Sequence, residues 1–317
     1  MKMRSLFVLI CLMILPACSE SGASGQSEKL ETPYIYILGV AQDAGYPQML
    51  CFKPHCKAGW EDANKRRTAV SLAVISPQEN ETLLFEAAPQ ITDQFYRLNN
   101  EAPIASNPIA GVFLTHAHMG HYTGLMFFGF EAANAKDLPV YAMPRMKNYL
   151  STNGPWSQLV DFGNIDLKPL EADIAVEPTN GIQVTPFHVP HREEFSEAVG
   201  YHIEGPERTA LFIPDIDKWQ KWERSIIDEI RKVDYALVDA TFFNGEELPG
   251  RDLSKVPHPS VEESMALFEP LTKEERARVY FIHINHSNPL LDADSEKTKQ
   301  VRDAGYNVSV EGMRLPL

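Results

Sequence analysis

The chain has 317 residues, 44% of them hydrophobic and 23% charged, which is ample for a sizeable core and usual for a globular protein. Its net charge of −14 excludes a chain-wide basic footprint of the kind that tracks a phosphate backbone, so no nucleic-acid partner is expected. No repeat, low-complexity tract or long charge run marks an internal boundary.

The chain opens with "MKMRSLFVLICLMILPACSE": Lys2 and Arg4, then an apolar run, then a small residue and Cys18. The run is too short for the roughly 20 residues of a membrane-spanning helix and suits a signal-peptide core. "LPAC" resembles a bacterial lipoprotein box, although Pro16 is an imperfect fit; the plainer reading is an ordinary signal peptide cleaved nearby. The resemblance implies a signal peptide over 1–17 and a lipid on Cys18. It also implies a bacterial cell-envelope location, anchored at the outer membrane and facing the periplasm. Membrane contact would then run through the lipid alone. Residues 18–31 are polar and Gly/Ser-rich, as a flexible tether is. One domain is expected over 32–317.

In an exported chain, Cys51 and Cys56 of "CFKPHC" read as a disulfide. The alternative is a small metal knuckle that includes His55. "NKRR" at 64–67, the one basic cluster, reads as a solvated turn before a strand. β-rich runs then recur: "YIYILGV", "AVSLAVI", "TLLFEAA", "GVFLT" and "PVYAM" in the first half, "IQVTPFHV", "AVGYHI", "TALFIPD", "YALVDATFF" and "VYFIHINH" in the second. Helices are fewer. "DKWQKWERSIIDEIRK" puts Trp219, Trp222, Ile226 and Ile230 on one helical face. Ser260 and Glu263 form a capping box, and Gly305 is a C-cap for "ADSEKTKQVRDAG". Two blocks of strands with helices between them predict an α+β architecture of packed sheets with helices outside.

"GVFLTHAHMGHYTGL" carries the chemistry. Residues two apart in an extended segment point to one side, so His116 and His118 can grip one ion, with His121 reaching a neighbouring position. Three histidines within six residues after an apolar strand are hard to explain structurally.

This motif resembles the metallo-β-lactamase superfamily, whose His-x-His-x-Asp-His segment follows such a strand. Later ligands in that family come from a His, an Asp and a last His, each at its own strand end. Here "FHVPHREEF" supplies His191 or His188, "ALFIPDID" supplies Asp215, and "VYFIHINHSNP" supplies His283 or His286. Within the superfamily, "LGVAQDAGYPQMLC", "VDATFF", "IHINHSNP" and "AGYNVSVEGM" resemble the branch with pyrroloquinoline-quinone biosynthesis protein B and the cyclic phosphodiesterase of phosphonate breakdown. Ribonuclease Z is a more distant relative. The resemblance implies a four-layer αββα sandwich. It implies a first metal site of His116, His118 and His191, and Asp215 bridging to a second with His121 and His283. One or two zinc ions are expected, with iron or manganese as alternatives. Zinc would make hydroxide available from a bound water whose pKa falls to about 7. His188 and His286, the other member of each pair, and Asp239 would orient ligands from behind. The plain reading of Asp215 is an acid at a helix N-terminus.

Gly120 departs from the family motif, which has aspartate there. Either the second ion is weak or absent, or another carboxylate substitutes, Asp43 in "AQDAGYP" being best placed, or activity is lost. The first site is expected intact and the second altered. The plain reading of Asp43 is a turn former. Lys53 stands where relatives carry a knuckle cysteine, which favours a Cys51–Cys56 disulfide. His258 lies where the phosphodiesterase has a substrate-contacting histidine. Catalytic candidates are therefore Asp215, Asp43 and His258. The expected function is an exported metal-dependent hydrolase of a small-molecule phosphodiester, ester, lactone or amide. The alternatives are an iron-dependent, oxygen-using enzyme related to quinone-cofactor biosynthesis, and a non-catalytic binding lipoprotein.

Overall fold

The computed structural model describes residues 32–102 and 109–317. The expected signal peptide, tether and lipidated Cys18 lie outside the described residues. Strands in the first half are β1 (Tyr34–Gly39), β2 (Ser71–Ser76), β3 (Glu81–Phe85), β4 (Ile109–Phe113), β5 (Leu138–Ala142) and β6 (Ile165–Pro169). In the second half come β7 (Val176–Thr179), β8 (Ile182–His188), β9 (Val199–Glu204), β10 (Thr209–Ile213), β11 (Tyr235–Asp239), β12 (Val279–Ile282), β13 (Asn307–Val308) and β14 (Arg314–Pro316). They form two mixed sheets, ordered β14-β1-β2-β3-β4-β5-β6 and β13-β12-β11-β10-β9-β8-β7. The last strand crosses back to edge the first sheet. Within each sheet an antiparallel part runs into a parallel part, which begins at β3–β4 in one and β10–β11 in the other.

Strand alternation explains the layering. All six residues of β1 are buried, because both of its faces are covered. Ile35 and Ile37 enter the core between the sheets with Val74, Phe85, Phe113, Tyr201 and Phe212. Tyr34, Tyr36 and Leu38 face the other way, into a cluster roofed by helices. The helices of this half are α1 (Pro54–Glu61), α2 (Ile91–Glu101), α3 (Met119–Tyr122), α4 (Pro144–Thr152) and α5 (Trp156–Asp161); α2, α4 and α5, with the 3₁₀ turn Thr123–Phe128 after α3, supply the roof, and α1 lies outside it. On the second sheet, Leu211, Ile213, Ala236 and Val238 pack under α6 (Ile226–Lys232), α7 (Val261–Leu267), α8 (Lys273–Arg276) and α9 (Glu296–Asp303), with α8 contributing least. The order is helix, sheet, sheet, helix, which is the expected αββα sandwich. Each fully buried side chain of this size contributes about 1.5–3 kcal/mol of transfer free energy.

Two helical expectations hold and one is corrected. The Ser260/Glu263 capping box starts α7, and Gly305 follows α9 with φ +95°. The 218–232 stretch is not one helix: a 3₁₀ turn at Trp219–Lys221 precedes α6, which Ser225 caps by accepting from the Asp228 amide. The four apolar residues are buried as expected. However, the indoles need partners: Trp219 Nε1 donates to Ser264 and Trp222 Nε1 to the His188 carbonyl. Those bonds accompany the break in the helix. Asp215 consequently caps no helix.

Candidate metal centre

The ligand candidates follow strand C-termini at one edge of the sandwich. His116, His118 and His121 follow β4, Asp215 follows β10, and His283 follows β12. These strands belong to the parallel parts, so their ends point the same way, as ligand sites at the carboxyl ends of parallel strands require. His191 follows β8, and Asp43 sits in the turn after β1.

Three groups of ligand-type side chains share Asp215: one joins it to Asp239, His258 and His283, and the remaining two make up the candidate ion sites. One comprises His116, His118, His191 and Asp215; the other comprises Asp43, His121, Asp215 and His283. In the first, His116 Nε2 and His118 Nδ1 are 2.8 Å apart, His191 Nε2 and His118 Nδ1 3.2 Å. Asp215 Oδ2 lies 3.4 Å from His116 Nε2 and 3.1 Å from His191 Nε2. In the second, His121 Nε2 lies 3.2 Å from Asp43 Oδ1 and 3.7 Å from Asp215 Oδ2, and His283 Nε2 lies 3.7 Å from Asp43 Oδ1. Tetrahedral ligands at 2.0–2.1 Å from a zinc ion stand about 3.3 Å from one another. The separations bracket that value. His283 Nε2 is also buried and has no hydrogen-bond partner, a nitrogen that an ion would satisfy. The residues present therefore fit a divalent metal pair.

Supporting groups fix which nitrogen is free. Glu86, fully buried directly after β3, accepts the Thr115 hydroxyl proton. Thr115 Oγ1 must then accept from His116 Nδ1 at 2.9 Å, leaving His116 Nε2 for the ion. The same carboxylate stands 3.3 Å from His121 Nδ1 and so frees His121 Nε2. Across the site the arrangement repeats. Thr241 Oγ1 donates to Asp239 at 2.7 Å and lies 2.9 Å from His283 Nδ1, freeing His283 Nε2. His118 Nε2 reaches Glu194 at 3.1 Å, freeing its Nδ1. Outer partners of this kind set ligand tautomer and orientation. The sequence reading missed Glu86, Thr115, Thr241 and Glu194. Glu86 left a signal, being an acid at the end of the apolar run "TLLFEAA".

Gly120 acquires a reason. A Cβ on it would meet Asp43 Cα at 2.2 Å and Asp43 Oδ1 at 2.7 Å. Asp43, held at φ +26°, occupies the room that a side chain at 120 would need. Of the three readings of Gly120, the geometry matches carboxylate substitution. Asp43 is also a turn residue, since the Gly45 amide bonds back to the Gln42 carbonyl at 2.9 Å.

Other candidates fall elsewhere. His188 ends β8 on its exposed side and joins neither ligand group, because strand alternation turns it away from the site. His286 is not behind His283: its ring lies 5.5 Å from that of His55, in a separate group with Cys51 and Cys56. Asp239 lies beneath the centre, its Oδ1 3.7 Å from His283 Nδ1. His258 is buried there too, its Nδ1 2.8 Å from Asp239 Oδ2 and 3.2 Å from Asp215 Oδ1. Any substrate contact by His258 falls to its Nε2.

Cys51 and Cys56 are free thiols, which corrects the disulfide expectation. Cys51 Sγ is 3.4 Å from His55 Nε2, and ligand atoms of Cys51, His55, Cys56 and His286 all lie within 4.8 Å of one another. His55 thus supplies a ligand where Lys53 cannot. Burial and the neighbouring Cys51 push the Cys56 thiol up to about 11, so without an ion it stays protonated; a zinc ion would deprotonate it. Cys56→Ser is expected to lose one zinc per chain and to lower Tm by about 5 °C or more. Metal analysis and a melting curve check this. Unchanged zinc content would count against the knuckle.

The two halves of the main centre differ in protonation. Burial, with the nearby His121 charge, holds His116 well below the usual histidine range, and burial lowers His118. Burial also opposes charge on His121 and His283, but carboxylates outweigh it. Glu86 and Asp43 hold His121 well above its ordinary value, and Asp215, Asp239 and Asp43 raise His283. At neutral pH the ion-free second site holds protons that an ion must displace, whereas His116 and His118 do not. Loading the second ion should therefore release more protons than the first. Its affinity should weaken more steeply as pH falls. Calorimetry in buffers of different ionisation enthalpy measures this; equal release at both steps would refute the asymmetry.

Comparison with known proteins gives a consistent setting. The profile of a family described as "Beta-lactamase superfamily domain" matches residues 81–284. The "Coenzyme PQQ synthesis protein B" of Methylobacterium sp. (strain 4-46) is 27% identical over 308 residues, covering 89% of this chain and 99% of that one. The crystal structure of Zn(2+)-bound PqqB from Methylobacterium extorquens superposes with a TM-score of 0.76 at 24% identity, covering 90% of this chain and all of the other. A diphosphatase from the PhnP family superposes at 0.65 with 20% identity, over 90% of this chain and 98% of its own.

Proposed function

We propose a metal-dependent hydrolase, from the premise that this chain belongs to the metallo-β-lactamase superfamily. The observation that carries the reading is the convergence of seven donor side chains, in two of the three sets of four that share Asp215, at ligand spacing on one sheet edge. His116, His118, His191 and Asp215 would hold one divalent ion; Asp43, His121, Asp215 and His283 would hold the other. Bound there, such ions supply Lewis acidity and a water acidic enough to serve as nucleophile near neutral pH. The chain's own residues do the rest. Glu86 and Asp239, through Thr115 and Thr241, keep the imidazole protons on the outward nitrogens. Asp215 joins the two groups, and its other oxygen lies 3.2 Å from the His258 ring, which is itself bonded to Asp239.

The substrate class is a small phosphodiester, ester, lactone or amide. Export and lipid anchoring at Cys18 belong to the proposal and rest on the N-terminal segment. Zinc-loaded protein should turn over at least one of bis-p-nitrophenyl phosphate, p-nitrophenyl esters, lactones and an activated amide, and chelation should abolish that turnover. Protein without stoichiometric metal, unaffected by His116→Ala, would end the reading.

The similarity to PQQ synthesis proteins favours one second reading: an iron-loaded, oxygen-using enzyme of quinone-cofactor biosynthesis. A site of imidazoles and carboxylates with open positions suits iron. Metal identity after anaerobic purification, with oxygen-dependent turnover or without it, separates the two. A purely binding lipoprotein loses its main support once Asp43 fills the place vacated at Gly120.

A further inference from the structure

Among the described residues, thirteen large apolar side chains are markedly exposed, and nine of them lie on three segments that carry metal-ligand candidates. Scattered exposed apolar residues are ordinary, and Phe52 with Trp60 belongs beside the Cys51 group; two of the others adjoin His118 and the carboxylate that holds it. Met119, 74% exposed, directly follows His118. Phe195, 58% exposed, directly follows Glu194, whose carboxylate holds His118 Nε2 at 3.1 Å. The Phe195 ring stacks on Tyr149 at 5.2 Å, and the Tyr149 hydroxyl bonds to that of Tyr122, which ends the short helix begun by Met119. Met119 and Phe195 are therefore tied into one rim beside His118. On the segment that carries Asp43, Met49, Leu50 and Phe52 are 77–79% exposed.

The polar groups beside this rim are already engaged. Arg145 pairs with Glu193 at 3.0 Å, Arg192 with Glu194 at 3.0 Å, and Glu197 accepts the Arg145 amide at 2.9 Å. The rim by Phe195 thus offers apolar surface to a ligand rather than free cations for a polyanion. A site that combines apolar walls with a few convergent polar groups is the usual form of a small-molecule pocket.

We infer that the substrate is amphiphilic: an alkyl or aryl chain lies on the Met119–Phe195 rim while the scissile ester or phosphodiester sits at the metal centre. This rests on the hydrolase reading above for the second half of the statement but not for the first. The test is calorimetric binding of n-alkylphosphonates, methyl to octyl, to the zinc-loaded whole protein, run beside turnover of p-nitrophenyl esters from acetate to octanoate. Kd should fall by about twofold per methylene, the effect of half-burying each CH₂, and ester kcat/KM should rise in parallel. Met119→Ser with Phe195→Ser should flatten both slopes; Tyr96→Ser, an exposed aromatic outside these segments, should leave them. A phosphonate slope with no turnover of these esters, of bis-p-nitrophenyl phosphate or of the lactone and amide probes upholds the apolar subsite and sinks the hydrolase reading. Turnover with no chain-length dependence, or a slope unchanged in the double variant, overturns the subsite.

Discussion

Asp43→Ala is expected to lower the metal bound at this centre from about two ions to about one, leaving the Cys56 group loaded, and to slow turnover by roughly 100-fold or more. Asp43 is the one carboxylate of the second ligand group that Asp215 does not already supply. Without it, His121 and His283 would share an ion with a bridging oxygen alone. Gly120→Asp in the native background should not add a ligand. Its Cβ would lie 2.2 Å from Asp43 Cα, where backbone has to give. Asp43→Gly combined with Gly120→Asp is different. Glycine removes the contacts at Asp43 Cβ and Oδ1, and its wider range of φ lets the turn shift to relieve the remaining 2.2 Å approach to Cα. The double variant should regain part of the second ion and of the turnover relative to Asp43→Gly alone. An unchanged pair of ions at this centre and full activity in Asp43→Ala would show that this carboxylate is only a turn former.

Glu86→Ala should have the next largest effect, because one buried carboxylate supports a ligand in each group. Removing it strands the Thr115 hydroxyl, and with it the orientation of His116, and leaves His121 Nδ1 without its acceptor. Loss of such an outer partner typically costs 10–100-fold in metal affinity. Here both sites should weaken, the second by more. Glu86→Gln keeps the shape and can still accept from Thr115, yet it removes the charge that holds the His121 proton. It should therefore ease proton release at the second site while weakening the ion there less than alanine does. A metal titration followed by competition with a chelator of known affinity reads both variants. Equal affinities in Glu86→Ala and the native chain would assign Glu86 a packing role alone.

Much of the sandwich was legible because its strands are apolar runs. β1, β2, β10 and β11 are buried on both faces, so their sequences advertise themselves without alternation. The histidine cluster was legible for a similar reason: three ligand-type residues after one strand have few structural explanations. What the sequence hid depends on contacts between distant segments. Nothing local distinguishes Asp43 as a turn former from Asp43 as a ligand; only its approach to Gly120 does. The choices between His191 and His188, and between His283 and His286, turn on strand alternation and on which loop faces which. His286 could be assigned to the cysteine group only once α1 was seen beside it. The Trp219–Ile230 stretch has helical spacing, yet a serine cap and two indole hydrogen bonds accompany its break.

The position of the second ion decides whether Asp43 replaces the carboxylate missing at Gly120. Crystals of zinc-loaded protein, measured at the zinc edge, should give two anomalous peaks in this centre. One should be ringed by His116, His118, His191 and Asp215. The other should lie about 2.0–2.2 Å from an Asp43 carboxylate oxygen, with His121 and His283 as its remaining side-chain neighbours. A centre with a single peak, or a second peak that Asp43 does not touch, would contradict that replacement.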